Sequence, residues 1–295
     1  MTLPSPDLRR TWLFGAGADG ANHSAMAACG ADVLIQDLED FTPAARRPEA
    51  RALAGALYAA WRVAGRGVCV RINRLDAEGG IDLDAVLAAR PDIVAYPKAA
   101  GADDMRALDD AITTRERAMG LPAGAIEILP VCETALGVVT VREMAVASPR
   151  VRCALLGAED LAADLCAERG RDAVELDHAR RRFLLECRAA GIEPVDAPHT
   201  FADAEGAAAE TVYARRLGYR CKSLVRPDHA AAINAVLTPS EADCERARRI
   251  IAAFEAGRAR GEDRVLVDGL WIEMPMFLTA QRLLERARRL RHTLP

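Results

Sequence analysis

No stretch of this chain approaches the ~20 consecutive apolar residues of a membrane-spanning helix. Met1 to Arg10 hold no apolar h-region, so no secretory signal is expected there. Basic charge is not in excess either. The net charge is −4, with 28% of the 295 residues charged, which favours neither nucleic acid nor an anionic membrane as partner. The eight cysteines include no Cys-x-x-Cys pair, and Cys69, Cys153 and Cys221 fall in apolar strand-like runs. Buried, reduced thiols in a cytoplasmic protein are expected. His23, His178 and His292 have no metal-ligand spacing. Gly15, Gly17 and Gly20 make no useful G-x-G-x-x-G fingerprint, and a tight strand-to-helix loop explains them as well as phosphate binding does. What is present is apolar material for a large core, 51% of the chain.

The stretch 126–160 organises the rest. Two short apolar runs end near carboxylates, one at Glu133 and one at Asp160, with an amphipathic segment over 135–147 between them. Strand, helix, strand predicts a βαβ unit whose parallel strands end on the same sheet edge. Glu133 and Asp160 are therefore expected side by side where α/β proteins place their chemistry. Paired carboxylates there predict a hard divalent cation such as Mg²⁺, held by few protein ligands.

The same alternation runs along the chain. Strands are expected over 11–15, 32–36, 67–72, 92–96, 192–195 and 221–225 in addition to these two. Helices are expected over 22–29, 44–63, 82–89, 103–119, 172–190, 203–217 and 228–236. Eight such units over roughly 235 residues predict a (β/α)₈ TIM barrel, with a doubly wound open sheet as the alternative. The expected domains are a barrel over 1–237 and a C-terminal helical extension over 238–295. The extension reads as a charged helix over 239–260, a strand-like stretch turning at Asp268-Gly269, and a helix over 275–291. It would pack on its own barrel or on a neighbouring subunit.

Polar residues at the expected strand ends are Asp37, Glu39, Asp40, Arg71, Asn73, Lys98, Glu133, Asp160, His199 and Arg226. Of Glu39 and Asp40, one would hold a metal-bound water while the other caps a helix or pairs with an arginine such as Arg46. Arg71 is expected to bind a substrate carboxylate or enolate oxygen in bidentate fashion. Lys98, Asn73 and Arg226 are further substrate-binding candidates, each with a loop cap or ion pair as the plainer alternative. Two carboxylates, a metal and an arginine suit a 2-oxo acid, whose carbonyl is polarised as the adjacent C–C bond is made or broken. His199 is read as solvated or structural ahead of a general base. Cys132 should point away from Glu133. Tyr58 and Trp61 are expected in the core, and the arginines at 180–182 and 286–291 on solvated faces.

Taken together, these motifs resemble the citrate lyase β-subunit-like branch of the HpcH/HpaI aldolase superfamily, whose members include malyl-CoA and citramalyl-CoA lyases. The likeness rests on Trp12-Leu13-Phe14, Asp37-Leu38-Glu39-Asp40, Arg71-Ile72-Asn73, Pro97-Lys98, Glu133-Thr134-Ala135 and Gly157-Ala158-Glu159-Asp160-Leu161. It continues through Ala190-Gly191-Ile192, Gly218-Tyr219 and Ala232-Ile233-Asn234. The resemblance implies a TIM barrel dependent on Mg²⁺, with Mn²⁺ as a substitute, and with Glu133 and Asp160 as ligands. It places Arg71 on the oxo acid and Asp40 on the metal waters; Glu39 is kept as a catalytic candidate on its position beside Asp40. It implies a trimer or hexamer whose C-terminal segment brings a catalytic acid, here Glu273, to a neighbour's site. The implied reaction is reversible cleavage of a 3-hydroxyacyl-CoA to an acyl-CoA and a 2-oxo acid such as glyoxylate or pyruvate.

Departures from the family pattern lie elsewhere than the metal site. Val225-Arg226-Pro227-Asp228-His229 stands where relatives carry Ile-His-Pro-x-Gln, and Glu273 replaces an aspartate. Gly15-Ala16-Gly17 stands where relatives often have Val-Pro-Gly, and no lysine occurs over 22–29. These changes bear on the CoA site and the acyl partner. Two other readings stay open: a CoA-independent hydroxy-acid aldolase, and a non-catalytic subunit that binds metal and an oxo acid.

Overall fold

A computed structural model describes residues 3–293. The outer ends of both expected domains, positions 1–2 and 294–295, lie outside the described residues. Eight parallel strands close into a barrel in chain order. They are β1 (Thr11–Ala16), β2 (Val33–Asp37), β3 (Gly67–Arg71), β4 (Ile93–Tyr96), β5 (Glu127–Cys132), β6 (Cys153–Leu156), β7 (Glu193–His199) and β8 (Cys221–Leu224). Pairing of β1 with β8 closes the ring, as the barrel expectation required and an open sheet would not.

Side chains alternate across each strand, which sorts them between two cores. Phe14, Ile35, Cys69, Ala95, Val131 and Leu155 fill the barrel interior. Their neighbours Leu13, Leu34, Val70, Val94, Cys132 and Leu156 pack in the outer layer, under the helices. The same parity decides the site. Asp37 follows inward-facing Ile35 by two residues, Arg71 follows Cys69, and Glu133 follows Val131. Cys132 faces the other way, fully buried, and burial holds its thiol well above the ordinary range.

The outer layer holds α1 (Gly20–Ala28), α2 (Arg47–Val63), α3 (Gly79–Val86), α4 (Ala102–Ala118) and α5 (Ala135–Ala147). It continues with α6 (Glu159–Asp164), α7 (Asp177–Ala189), α8 (Ala204–Leu217) and α9 (Ala230–Leu237). Thr134 caps α5 by accepting from the Gly137 amide, and Asp203 caps α8 likewise at Gly206. Gly218 ends α8 at φ +119°, a conformation that favours glycine. Tyr58 and Trp61 are fully buried.

Four expectations need correction. The turn α6 was not foreseen, and Asp160 sits inside it. β7 runs on to His199, past the expected end at Val195. Arg180 is not on a solvated face: it is buried against Asp196, with bonds of 2.9 and 2.7 Å. Cys29 is half-buried and Cys166 exposed, so not every thiol is internal.

The C-terminal unit begins at Thr238. It contains α10 (Glu241–Ala259), an antiparallel hairpin of β9 (Val265–Val267) and β10 (Leu270–Ile272), and α11 (Met274–Thr293). Ser240 and Asp243 form a capping box at the start of α10. Its small core joins Phe254, Val265 and Ile272, with Phe277 stacked on Phe254 at 5.0 Å. Among the described residues, no helix is long and apolar enough to cross a membrane.

Candidate active site

The C-terminal ends of the barrel strands surround a cavity of ≈ 80 Å³. Its lining includes Phe14, Phe41, Arg71, Val131, Glu133, Leu155, Asp160, Thr200 and Val225. Arg71 is the centre of the charge pattern. Its Nε and Nη2 donate to the two oxygens of Asp37, each at 2.7 Å. Its Nη1 lies 3.1 Å from Glu39 and 3.9 Å from Glu133. The guanidinium carbon stands 5.1 Å from the Phe14 ring centre and 5.4 Å from that of Phe41. Burial works against this cation, but Asp37, Glu133 and Glu39 outweigh it and raise the Arg71 pKa further.

This geometry revises the expected role of Arg71. The bidentate edge meant for substrate is taken by Asp37, leaving the Nη1 side toward the cavity. Asp37 also accepts the Glu39 and Phe41 amides at 3.1 and 2.8 Å, so its carboxylate is held from four directions. It stood among the strand-end residues but was assigned no role of its own. Its signal was parity, since it follows Val33 and Ile35 on the inward face.

Glu133 and Asp160 both line the cavity, as the βαβ reading expected. β5 and β6 pair Cys132 with Leu156, so the two exits are adjacent. Gly157 makes the approach possible. A Cβ there would stand 2.5 Å from Glu133 Cβ and 2.9 Å from its Oε2. The Lys98 amide donates to Glu133 Oε1 at 2.9 Å, from a left-handed backbone at φ +48° that a lysine adopts only under constraint. Burial pushes Glu133 up to about 7, with Arg71 pulling down and Asp160 adding to the rise.

The pair fits a hard divalent cation. Positive charge would relieve both the desolvation and the mutual repulsion of the carboxylates. Among the described residues, no three His, Cys, Asp or Glu side chains form a ready metal cluster. The protein would supply two oxygens and leave the rest of the shell to water and substrate, as Mg²⁺ sites commonly do.

The other expected residues divide. Glu39 and Asp40 come together on Lys98, whose Nζ lies 2.6 and 3.0 Å from them. Burial would raise Asp40, but Lys98 more than offsets this and its carboxyl is lowered. Arg46 pairs with Glu49 and not with Glu39 or Asp40. Lys98 therefore bridges two acids and presents no free ammonium to the cavity. Asn73 is buried, its amide donates to Leu38 O and to Asp82 at 2.9 and 2.8 Å, and it is not among the residues lining the cavity. Arg226 is exposed and paired with Asp228 at 2.7 Å, outside the cavity lining. Glu273 is an exposed residue of the C-terminal unit, at the start of α11.

His199 is buried and bonded within the fold. Pro198 and Thr200 line the cavity, while the buried ring of His199 turns to Glu210 on α8 at 2.8 Å. The aromatic clamp of Phe14 and Phe41 was missed. No spacing rule marks it, although Phe41 directly follows the Asp-Leu-Glu-Asp run.

Residues 10–227 match the profile of the HpcH/HpaI aldolase/citrate lyase family. The chain is 34% identical to citrate lyase subunit beta of Haemophilus influenzae over 283 residues, covering 95% of this chain and 97% of that protein. It is 32% identical to L-malyl-CoA/beta-methylmalyl-CoA lyase of Cereibacter sphaeroides, covering 96% of each. Among solved structures, the CitE protein of Mycobacterium tuberculosis in complex with magnesium, acetoacetate and coenzyme A aligns with TM-score 0.74. The identity there is 29%, over 95% of this chain and 98% of that one.

Proposed function

We propose a specific reaction for this chain, which belongs to the HpcH/HpaI aldolase/citrate lyase family and is a carbon–carbon lyase. The reaction is the reversible, Mg²⁺-dependent cleavage of a 3-hydroxyacyl-CoA into an acyl-CoA and a 2-oxo acid. The observation that carries it is the placement of Glu133, Asp160 and Arg71 around one small cavity at the barrel mouth. The magnesium and coenzyme A of the Mycobacterium tuberculosis neighbour support the same reading.

Glu133 and Asp160 would hold the metal, which when bound supplies Lewis-acid polarisation of the oxo-acid carbonyl. Gly157 and the Lys98 amide fix the position of Glu133. Lys98 keeps Glu39 and Asp40 together, where they would hold water near the metal site. Arg71, stiffened by Asp37 and the two phenylalanines, turns its Nη1 side to the oxygen that gathers negative charge. In cleavage the 3-hydroxyl would pass its proton to a water beside Glu39 and Asp40, and the bond between C2 and C3 breaks. That electron pair passes to the thioester as an enolate, which takes up a proton to give the acyl-CoA. We assign that proton to Glu273, reaching its own or a neighbour's site.

A homo-oligomer, trimer or hexamer, in the cytoplasm is part of this reading. The exposed Leu266, Leu270, Trp271 and Met274 of the C-terminal unit support self-association, and light scattering tests it. The reaction is tested by cleavage of malyl-CoA, citramalyl-CoA, β-methylmalyl-CoA and the free acids, with Mg²⁺ and with EDTA. Cleavage that needs metal and CoA and is lost in Glu133→Ala supports the proposal. Cleavage of a free acid alone assigns a CoA-independent aldolase. Mg²⁺-dependent oxo-acid binding without turnover assigns a non-catalytic subunit.

A further inference from the structure

We infer that the cavity selects a monocarboxylic 2-oxo acid with a short apolar substituent, hydrogen or a small alkyl group, over a dicarboxylic one. The inference rests on the oxo-acid reading above and specifies its substrate. Three observations carry it.

The first is the surface under the acidic pair. Phe14, Val131 and Leu155 form the top of the apolar barrel interior, with Val225 packed against them. An oxo acid drawn to a cation held by Glu133 and Asp160 would therefore lie over hydrocarbon. A hydrogen or methyl group on the carbonyl carbon loses nothing there. A second carboxylate would shed its water against groups that cannot replace it.

The second is charge. Among the described residues, the cations around the mouth have acidic partners. Arg71 has Asp37 and Glu39. Lys98 has Glu39 and Asp40. Arg169 has Glu159, with Glu175 as a further partner. Arg226 has Asp228. The Thr200 hydroxyl, which also lines the cavity, donates to Glu159 at 2.6 Å. A second substrate carboxylate would therefore meet no unpaired cation there among the described residues.

The third is size. A water-sized group needs about 10–15 Å³ of such volume. A cavity of ≈ 80 Å³ therefore holds roughly five to eight such groups. Glyoxylate and pyruvate fall in that range, and oxaloacetate exceeds it unless it enters the space the acyl partner needs.

The test measures binding, independently of turnover. Titration calorimetry with Mg²⁺ compares glyoxylate, pyruvate, 2-oxobutanoate and fresh oxaloacetate. A further ligand is 2-oxopentanoate, which has nearly the reach of oxaloacetate without the second charge. The expected result is Mg²⁺-dependent binding of glyoxylate or pyruvate, with oxaloacetate weaker by at least about tenfold and weaker than 2-oxopentanoate. Val225→Lys places a cation at the partly exposed rim and should narrow the gap between oxaloacetate and pyruvate by about tenfold. Val225→Ala is the control and should leave the gap in place. Oxaloacetate binding the wild type as tightly as pyruvate overturns this inference and leaves the lyase reading standing. Failure of every oxo acid to bind with Mg²⁺ overturns both.

Discussion

Glu133→Gln should make the metal-free protein more stable while abolishing its response to Mg²⁺. The carboxyl has an ordinary value of 4.5 and is pushed up to about 7 in the fold. A raised carboxyl holds its proton more tightly folded than unfolded. Folding is therefore favoured below about pH 4.5, and that advantage is lost as pH rises toward 7. A difference of about 2.5 pH units at about 1.4 kcal/mol each makes the ionised side chain cost about 3 kcal/mol above pH 7. Glutamine keeps the shape and never ionises. At pH 8 in EDTA the variant should gain about 2–3 kcal/mol, a rise in Tm of roughly 4–10 °C for a domain this large.

Magnesium should act in the opposite sense on the two proteins. It binds the ionised carboxylate of the wild type and stabilises it by about 2.7 kcal/mol at a hundredfold excess over Kd. At pH 5, where the proton competes, that gain should shrink. The assay is thermal unfolding from pH 5 to 8, with Mg²⁺ and with EDTA, for both proteins. A variant less stable than wild type at pH 8 in EDTA, or one that Mg²⁺ stabilises as much as wild type, refutes the reasoning.

Asp37→Asn removes the partner of a buried guanidinium and should cost about 3–5 kcal/mol in urea unfolding. A loss below about 1 kcal/mol would mean that Glu39 and Glu133 suffice to hold Arg71. Gly157→Ala sets a methyl group against Glu133 and should weaken Mg²⁺ binding by roughly 10–100-fold in calorimetry, the range seen when support of a ligand is lost. An unchanged affinity would count against Glu133 as a ligand. Glu210 would be raised by burial, but Lys222, His199 and Arg180 together hold it down at about 2. A depressed carboxyl favours folding above its unfolded value near 4.5 and loses that advantage as pH falls toward 2. Glu210→Gln should therefore remove about 3 kcal/mol at neutral pH and flatten the acid unfolding curve between those limits.

The fold was legible because strand and helix have different periods and each left its own mark. Alternating apolar runs bounded by glycine or acidic residues marked the strands to within a few positions, and β7 was the main exception. Its extension passes Asp196, Pro198 and His199, beyond the apolar run that ends at Val195. In the folded chain Asp196 is neutralised by Arg180 and Lys222 from neighbouring elements. No local pattern could show that, since the partners lie 16 and 26 residues away. The short helix α6 escaped for a similar reason. Its six residues are too few for a periodic signal.

Covalent order and side-chain parity alone determined the barrel, the carboxylate pair at adjacent strand exits, and the inward direction of Arg71 and Glu133. Those features follow from periods of two and 3.6 residues, which are properties of the chain. Tertiary structure alone decided which charged groups remain available. Arg71 and Lys98 look alike in sequence as free cations, yet folding sets each against acids from other strands or loops. Asn73 was turned to Asp82, and His199 to Glu210, by helices that pack outside the barrel. Pairing among charges is a matter of distances below about 4 Å, and those distances exist only once strands remote in sequence have been brought side by side.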